Sequence, residues 1–202
     1  MTTTIQLIKQ LREASGAGIA DCRNALLEAN GKFDLALVIL EEQARVQAAL
    51  RADRETCEGR IELYSHGDGR IGVMVEIGAE TDFVARSEAF RNFAHEVALQ
   101  IAAANPCYVR DEDIPPDVLA EEAGKAAGRA RSEGKAEFII PRIVEGSLKK
   151  FKDRQVLMRQ AYIRDDKLPI ADLLSQTAAI LGENIVIRRF VRWEIVDGNI
   201  EK

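Results

Sequence analysis

Residues 71–77, IGVMVEI, place Ile71, Val73, Val75 and Ile77 at strict period two. Successive side chains of a strand point to opposite faces, so this alternation predicts a strand with one face buried. Such a strand needs a hydrogen-bonded neighbour and a layer to cover its apolar side. The neighbour is predicted just upstream, where Ile61, Leu63 and Ser65 face one way and Gly67-Asp68-Gly69 supplies turn chemistry between the two runs. The pair reads as an antiparallel hairpin with one buried face. The covering layer follows: from Ser87 the period changes, and Phe90, Phe93, Ala94, Val97, Ile101 and Ala102 fit a helix of about 18 residues with Ser87 as its N-cap.

Upstream of the hairpin the period is helical. Ile5, Leu7, Ile8 and Leu11 make the apolar face of a first helix that stops at SGAG, residues 15–18. A second carries Asp21, Ala25, Leu26 and Ala29 and ends at Asn30-Gly31. A third runs from Phe33 to Gln43 with Asp34 in its first turn, and RVQAALRADRETCEGR extends it or forms a linker. Downstream, residues 105–117 are irregular, and Asp117 opens a weakly apolar, glycine-rich helix. AEFIIPRIVEGSLKKF is another helical run that Pro141 starts or kinks. Residues 171–181 form an amphipathic helix ending at Gly182. The last strand is read with Ile185, Ile187, Val191, Trp193 and Ile195 on one face and Arg188, Arg192 and Glu194 on the other, Arg189 being an exception in the apolar row. The expected fold is α+β: a three-helix bundle over residues 1–53, then a core over 54–202 with an antiparallel sheet packed by helices.

Several function classes are disfavoured. A net charge of −5 and a pI near 5.3 give no global field toward nucleic acid or an anionic membrane. No window approaches the roughly 18 apolar residues of a spanning helix, and the N-terminus lacks the architecture of a secretory leader. Cys22, Cys57 and Cys107 are odd in number and far apart, which argues for a reduced cytoplasm without a zinc site. Gly67 to Gly72 matches G-x-G-x-x-G, but dinucleotide binding requires a helix after the turn, and a strand follows here. Cys57 and His66 lack a third orienting group. Lys149, Lys150, Lys152 and Arg154 suit the last turn of a helix without any phosphate. No cofactor, metal or catalytic cluster is expected.

The junction between strand and long helix holds Thr81-Asp82-Phe83-Val84. In one reading Thr81 or Asp82 caps a turn while Phe83 and Val84 fold back into the core. In the other, an acid beside an aromatic serves as a contact loop, since the following helix already has an apolar stripe beginning at Phe90. The pattern alone leaves both open.

The segments LIKQLREASGAGIADCRNALLEANGKFDLAL, ETDFVARSEAF, EGSLKKF and GENIVIRRF occur in this order over about residues 4–196, and the chain closely resembles the elongation factor Ts family. That family comprises guanine nucleotide exchange factors for elongation factor Tu. The resemblance implies a ubiquitin-associated-like three-helix module, an α+β core and no enzymatic chemistry. It further implies that Asp82 and Phe83, flanked by Thr81 and Val84, wedge against the partner's nucleotide domain and disturb its magnesium site. Leu11, Arg12, Ile19 and Ala20 match positions of the opening module that touch the same domain, with Ala20 smaller than the methionine often found there. The short, single-core form is associated with homodimers, so two chains are expected to supply what a longer member supplies alone. A generic interaction module without exchange activity is the alternative.

Overall fold

The structure, a computed structural model, describes residues 4–195. Three helices come first, α1 (Thr4–Ser15), α2 (Ile19–Glu28) and α3 (Phe33–Arg51). Leu11, Cys22, Ala25, Leu26, Ala36 and Leu40 form their shared core. Glycine breaks the first pair: Gly16 takes φ +69 and Gly18 sits at the N-cap of α2. The third helix runs past Gln43 to Arg51, taking the first part of the segment that the sequence left as helix or linker; residues 52–57 connect it to the first strand, which begins at Glu58.

A second hydrophobic cluster is built on a three-stranded antiparallel sheet of order β1 (Glu58–His66), β2 (Ile71–Ala79), β5 (Val186–Glu194). The inner face of β2, Val73, Val75, Ile77 and Ala79, is covered by α5 (Glu88–Ala104) through Phe90, Phe93, Val97 and Ile101. Burying each of these large side chains contributes about 1.5–3 kcal/mol. Ser87 accepts a hydrogen bond from the Phe90 amide at 3.2 Å and so caps α5 as its sequence predicts. Helix α8 (Ile170–Leu181) adds Ile170 and Ala178 to the same cluster and ends on left-handed Gly182. Between them in the chain lie α6 (Pro116–Ser132) and α7 (Ile140–Gln155), which pack on each other and bury Ala126, Ala130 and Ile140, with Pro141 in the first turn of α7. A short hairpin, β3 (Ala161–Tyr162) and β4 (Asp165–Pro169), has no counterpart in the sequence reading, because its polar residues show no alternation.

Two face assignments are corrected. Ile61 and Leu63 do share a face, but it is the outer one: they pair with Glu76 and Met74, while Tyr64 and Glu62 pair with the buried Val73 and Val75. Cross-strand partners lie on one side of a sheet, so β2 dictates the orientation of β1. On β5 the register shifts between the partners Glu76–Arg189 and Ile77–Ile187, leaving Arg188 as the extra residue of a bulge. Before it Ile187 points inward; after it Phe190 and Arg192 do, and Val191, Trp193 and Ile195 are not part of the inner row. The Arg192 guanidinium donates to the Ala102 carbonyl at 3.2 Å, a favourable place for a cation at the C-terminal end of α5. Arg188 reaches across Gly78 to the Thr56 carbonyl and, at 3.1 Å, to its hydroxyl.

The helical bundle rests on α8. Arg45 donates to both carboxylate oxygens of Asp172, at 2.8 and 2.7 Å. A Cβ at Gly16 would lie 2.4 Å from Ile180 Cδ1, so the turn after α1 is seated directly on that helix. Among the described residues no helix is long and apolar enough to cross a membrane.

Two outcomes follow from these contacts. Gly59, at φ +152, faces Gly78 across the hairpin, and a Cβ there would lie 2.3 Å from the Ile77 carbonyl oxygen. Gly59→Ala is expected to cost about 2 kcal/mol in chemical denaturation. Asp111 accepts from Arg159 at 2.5 and 2.7 Å and from Lys152 at 3.1 Å. The Arg159 guanidinium above all holds its carboxyl below the ordinary value of 3.8. A depressed carboxyl stabilises the fold above its unfolded-state pKa and loses that contribution as pH falls through the folded one. Asp111→Asn should therefore lower stability by about 1 kcal/mol at neutral pH, with the difference from wild type vanishing in strong acid.

Candidate functional site

The Thr81–Val84 segment begins a one-turn helix, α4 (Asp82–Arg86). Five residues are far too few to hold a helix in water, so its shape must come from outside. Thr81 is the N-cap: its Oγ1 accepts a hydrogen bond from the Val84 amide at 3.4 Å. Ser87 closes the far end and opens α5. On the inner side Ala85 is buried and Val84 packs against the sheet cluster. Asp82 stands in the first turn, where the helix dipole favours an acid, with Arg86 at 3.3 Å one turn on.

Phe83 points the other way, and 84% of it is exposed. The two readings of this segment thus divide between its residues. Thr81 caps and Val84 folds inward, as a simple turn would require; Phe83 takes no part in the core. A lone exposed aromatic is ordinary. Here, however, it projects from a backbone turn that is tied down on three sides.

Those ties form a polar knot of three chain segments. The Glu183 carboxylate accepts from the backbone amides of Glu80 and Thr81, both at 3.0 Å, and from the Thr81 hydroxyl at 2.5 Å. Glu80 answers in kind, its Oε1 accepting from the Asn184 amide at 2.6 Å. The side-chain amide of Asn184 then donates to the carbonyls of Ala52 and Arg54, at 3.2 and 2.8 Å, which are the exit from α3. Arg54 closes the circuit toward Glu80 at 3.5 Å. Glu80 lies in the quoted segment ETDFVARSEAF and Glu183 and Asn184 in GENIVIRRF, but the sequence assigned these three residues no role and did not join the two segments. Their contact is a purely spatial signal, because residues 102 positions apart carry no shared local pattern.

The candidate positions on the bundle fare differently from one another. Leu11 is 0% exposed within the three-helix core, so it packs the bundle and offers no surface. Arg12 and Ala20 are exposed on α1 and α2, and Ile19 is 59% exposed. Arg12, Gly16 and Asp21 line one side of an open cleft of about 640 Å³, with Gln47 and Arg51 of α3 and Ile180 of α8 on the others. The knot at residues 52–54 is the covalent and hydrogen-bonded route between this bundle and α4.

The glycine-rich stretch is a hairpin turn. Gly67, Asp68 and Gly69 all have positive φ, and β2 follows at Ile71. A strand and not a helix follows the turn, so it lacks the strand–turn–helix geometry that holds a pyrophosphate.

Comparison with known proteins gives this arrangement a lineage. A family profile described as Elongation factor TS matches residues 34–197. The elongation factor Ts of Caldanaerobacter subterraneus subsp. tengcongensis is 52% identical over 98% of this chain and 98% of its own length. Those of Carboxydothermus hydrogenoformans and Moorella thermoacetica are 46% and 44% identical, covering 98% and 96% of this chain and 92% and 96% of their own. A profile spanning most of the core, with relatives this similar from end to end, means that the chain belongs to the elongation factor Ts family and is a translation elongation factor.

Proposed function

We propose that this chain binds elongation factor Tu and promotes release of its GDP, with Asp82 and Phe83 pressed against the partner's nucleotide domain. The observation that carries the reading is Phe83, a large apolar side chain left 84% exposed on a helix that the core holds rigid. An aromatic side chain that is desolvated only on association gains its burial energy there, which is what an interface anchor requires. Asp82 beside it supplies a charge for orientation, and Thr81 and Val84 set the direction of both.

Exchange of this kind is linkage rather than chemistry. If the factor binds the nucleotide-free partner more tightly than the GDP-bound one, it must weaken GDP by the same ratio, and about 1.4 kcal/mol of coupling is one factor of ten. No bond is made or broken, so the chain acts without catalytic residues or a cofactor, as a non-enzymatic exchange factor of the cytoplasm. The bundle, residues 1–53, is a second contact module. Arg12, Ile19 and Ala20 lie at its surface, with Leu11 holding α1 beneath them. The core, residues 54–202, carries the wedge.

The outer face of the sheet supports a second copy of this chain as a further partner. Leu63, Met74, Val191 and Trp193 surround a shallow apolar depression there, with Leu63 65% and Trp193 73% exposed. An apolar patch on an exposed sheet face can be buried against the same patch of a second copy about a two-fold axis.

Phe83→Ala should slow release of a fluorescent GDP analogue from elongation factor Tu by roughly 30-fold in stopped flow, the loss of about 2 kcal/mol of contact. Its thermal unfolding should be unchanged, because Phe83 contributes nothing to the core; an unslowed variant would return the wedge role to some other residue. Trp193→Asp should shift the chain from dimer to monomer in sedimentation equilibrium. A wild-type chain that sediments as a monomer at micromolar concentration would remove the dimer reading.

A further inference from the structure

We propose that Glu183 is a positioning residue for the Asp82–Phe83 contact: its carboxylate fixes the start of α4 and thereby the direction in which Phe83 projects. This deepens the exchange reading given above and rests on it for its functional consequence.

The case begins with the shortness of α4. A helix of five residues gains too little from its own hydrogen bonds to persist, so its N-terminal turn must be held by groups outside it. Two amides at that end, those of Glu80 and Thr81, converge on one oxygen of Glu183 at 3.0 Å each. The other oxygen takes the Thr81 hydroxyl proton at 2.5 Å. That last bond has a second effect. A hydroxyl has one proton, and committing it to Glu183 turns the oxygen's lone pairs toward the Val84 amide, the bond that caps α4. One carboxylate therefore sets both the entry angle of the chain and the rotamer of its cap.

Glu183 is itself aimed by backbone geometry. Helix α8 ends with Gly182 in the left-handed conformation at φ +74, and the next residue turns back toward β2. The Asn184 amide, bonded to Glu80 Oε1 at 2.6 Å, prevents that turn from rotating away. Charge-assisted bonds of this kind are shorter and about twice as strong as neutral ones, and three of them converge here. The contact loop is thus oriented by a residue that need not touch the partner.

The test uses the full chain with Glu183→Ala, Glu183→Gln, Phe83→Ala and the Glu183→Ala/Phe83→Ala double variant. Amide hydrogen exchange on the free protein is read by NMR at Glu80, Thr81, Val84 and Ala85. Glu183→Ala should reduce protection at these amides by about tenfold, while β2 and α5 keep theirs. Glu183→Gln, which retains an acceptor for the two amides, should restore most of it. In GDP release from elongation factor Tu, Glu183→Ala should lose about tenfold in acceleration, and that loss should disappear in the Phe83→Ala background. Unchanged protection at residues 80–85 overturns the proposal. So does a loss that persists undiminished without Phe83, since Glu183 would then act by another route. A wild-type chain that fails to speed release removes the exchange reading, and the positioning role is then decided by amide protection alone.

Discussion

The inner face of β2 is the constraint from which the remaining architecture follows. Val73, Val75, Ile77 and Ala79 can leave water only if β1 and β5 satisfy the strand's hydrogen bonds on both sides while α5 and α8 cover its apolar row. Each neighbour is then oriented by β2 rather than by its own composition. Tyr64 and Glu62 turn inward on β1 because they stand opposite Val73 and Val75, although Ile61 and Leu63 are the more apolar pair. Burial on one strand thus outweighs residue preference on the next.

The bulge at Arg188 is the adjustment that makes this work on β5. Without the extra residue, Arg192 and Val191 would exchange faces, and the core would meet the wrong side of the strand's end. With it, Phe190 joins the inner row, and Arg192 finds the last turn of α5. The displaced apolar residues gather with Leu63 and Met74 on the outer face, so the surface proposed for self-association is a by-product of the same shift.

Helix α4 is placed by polar groups on that frame. β2 delivers the chain to Glu80, α8 and its glycine stop deliver Glu183, and α3 ends at the carbonyls held by Asn184. Hydrogen bonds contribute only modestly to net stability, but they are directional, and direction is what a projecting Phe83 needs. Hydrophobic burial fixes where α4 sits through Val84 and Ala85; the knot fixes which way its outer face points.

Much of this protein is determined by its sequence acting locally. The three N-terminal helices, the 71–77 strand, the Ser87 cap and the Gly182 stop all follow from periodicity and capping chemistry, which operate over a few residues. The family signature at residues 80–90 is likewise a contiguous string. Tertiary structure alone decided which face of β1 and of the end of β5 is buried, because face depends on a partner strand and on one inserted residue. It decided that Phe83 is outside, where the local pattern had left both a buried and an exposed reading open. It also joined Glu183 to Thr81, since hydrogen bonding between distant segments depends on where the folded backbone brings them, and no local pattern encodes that distance.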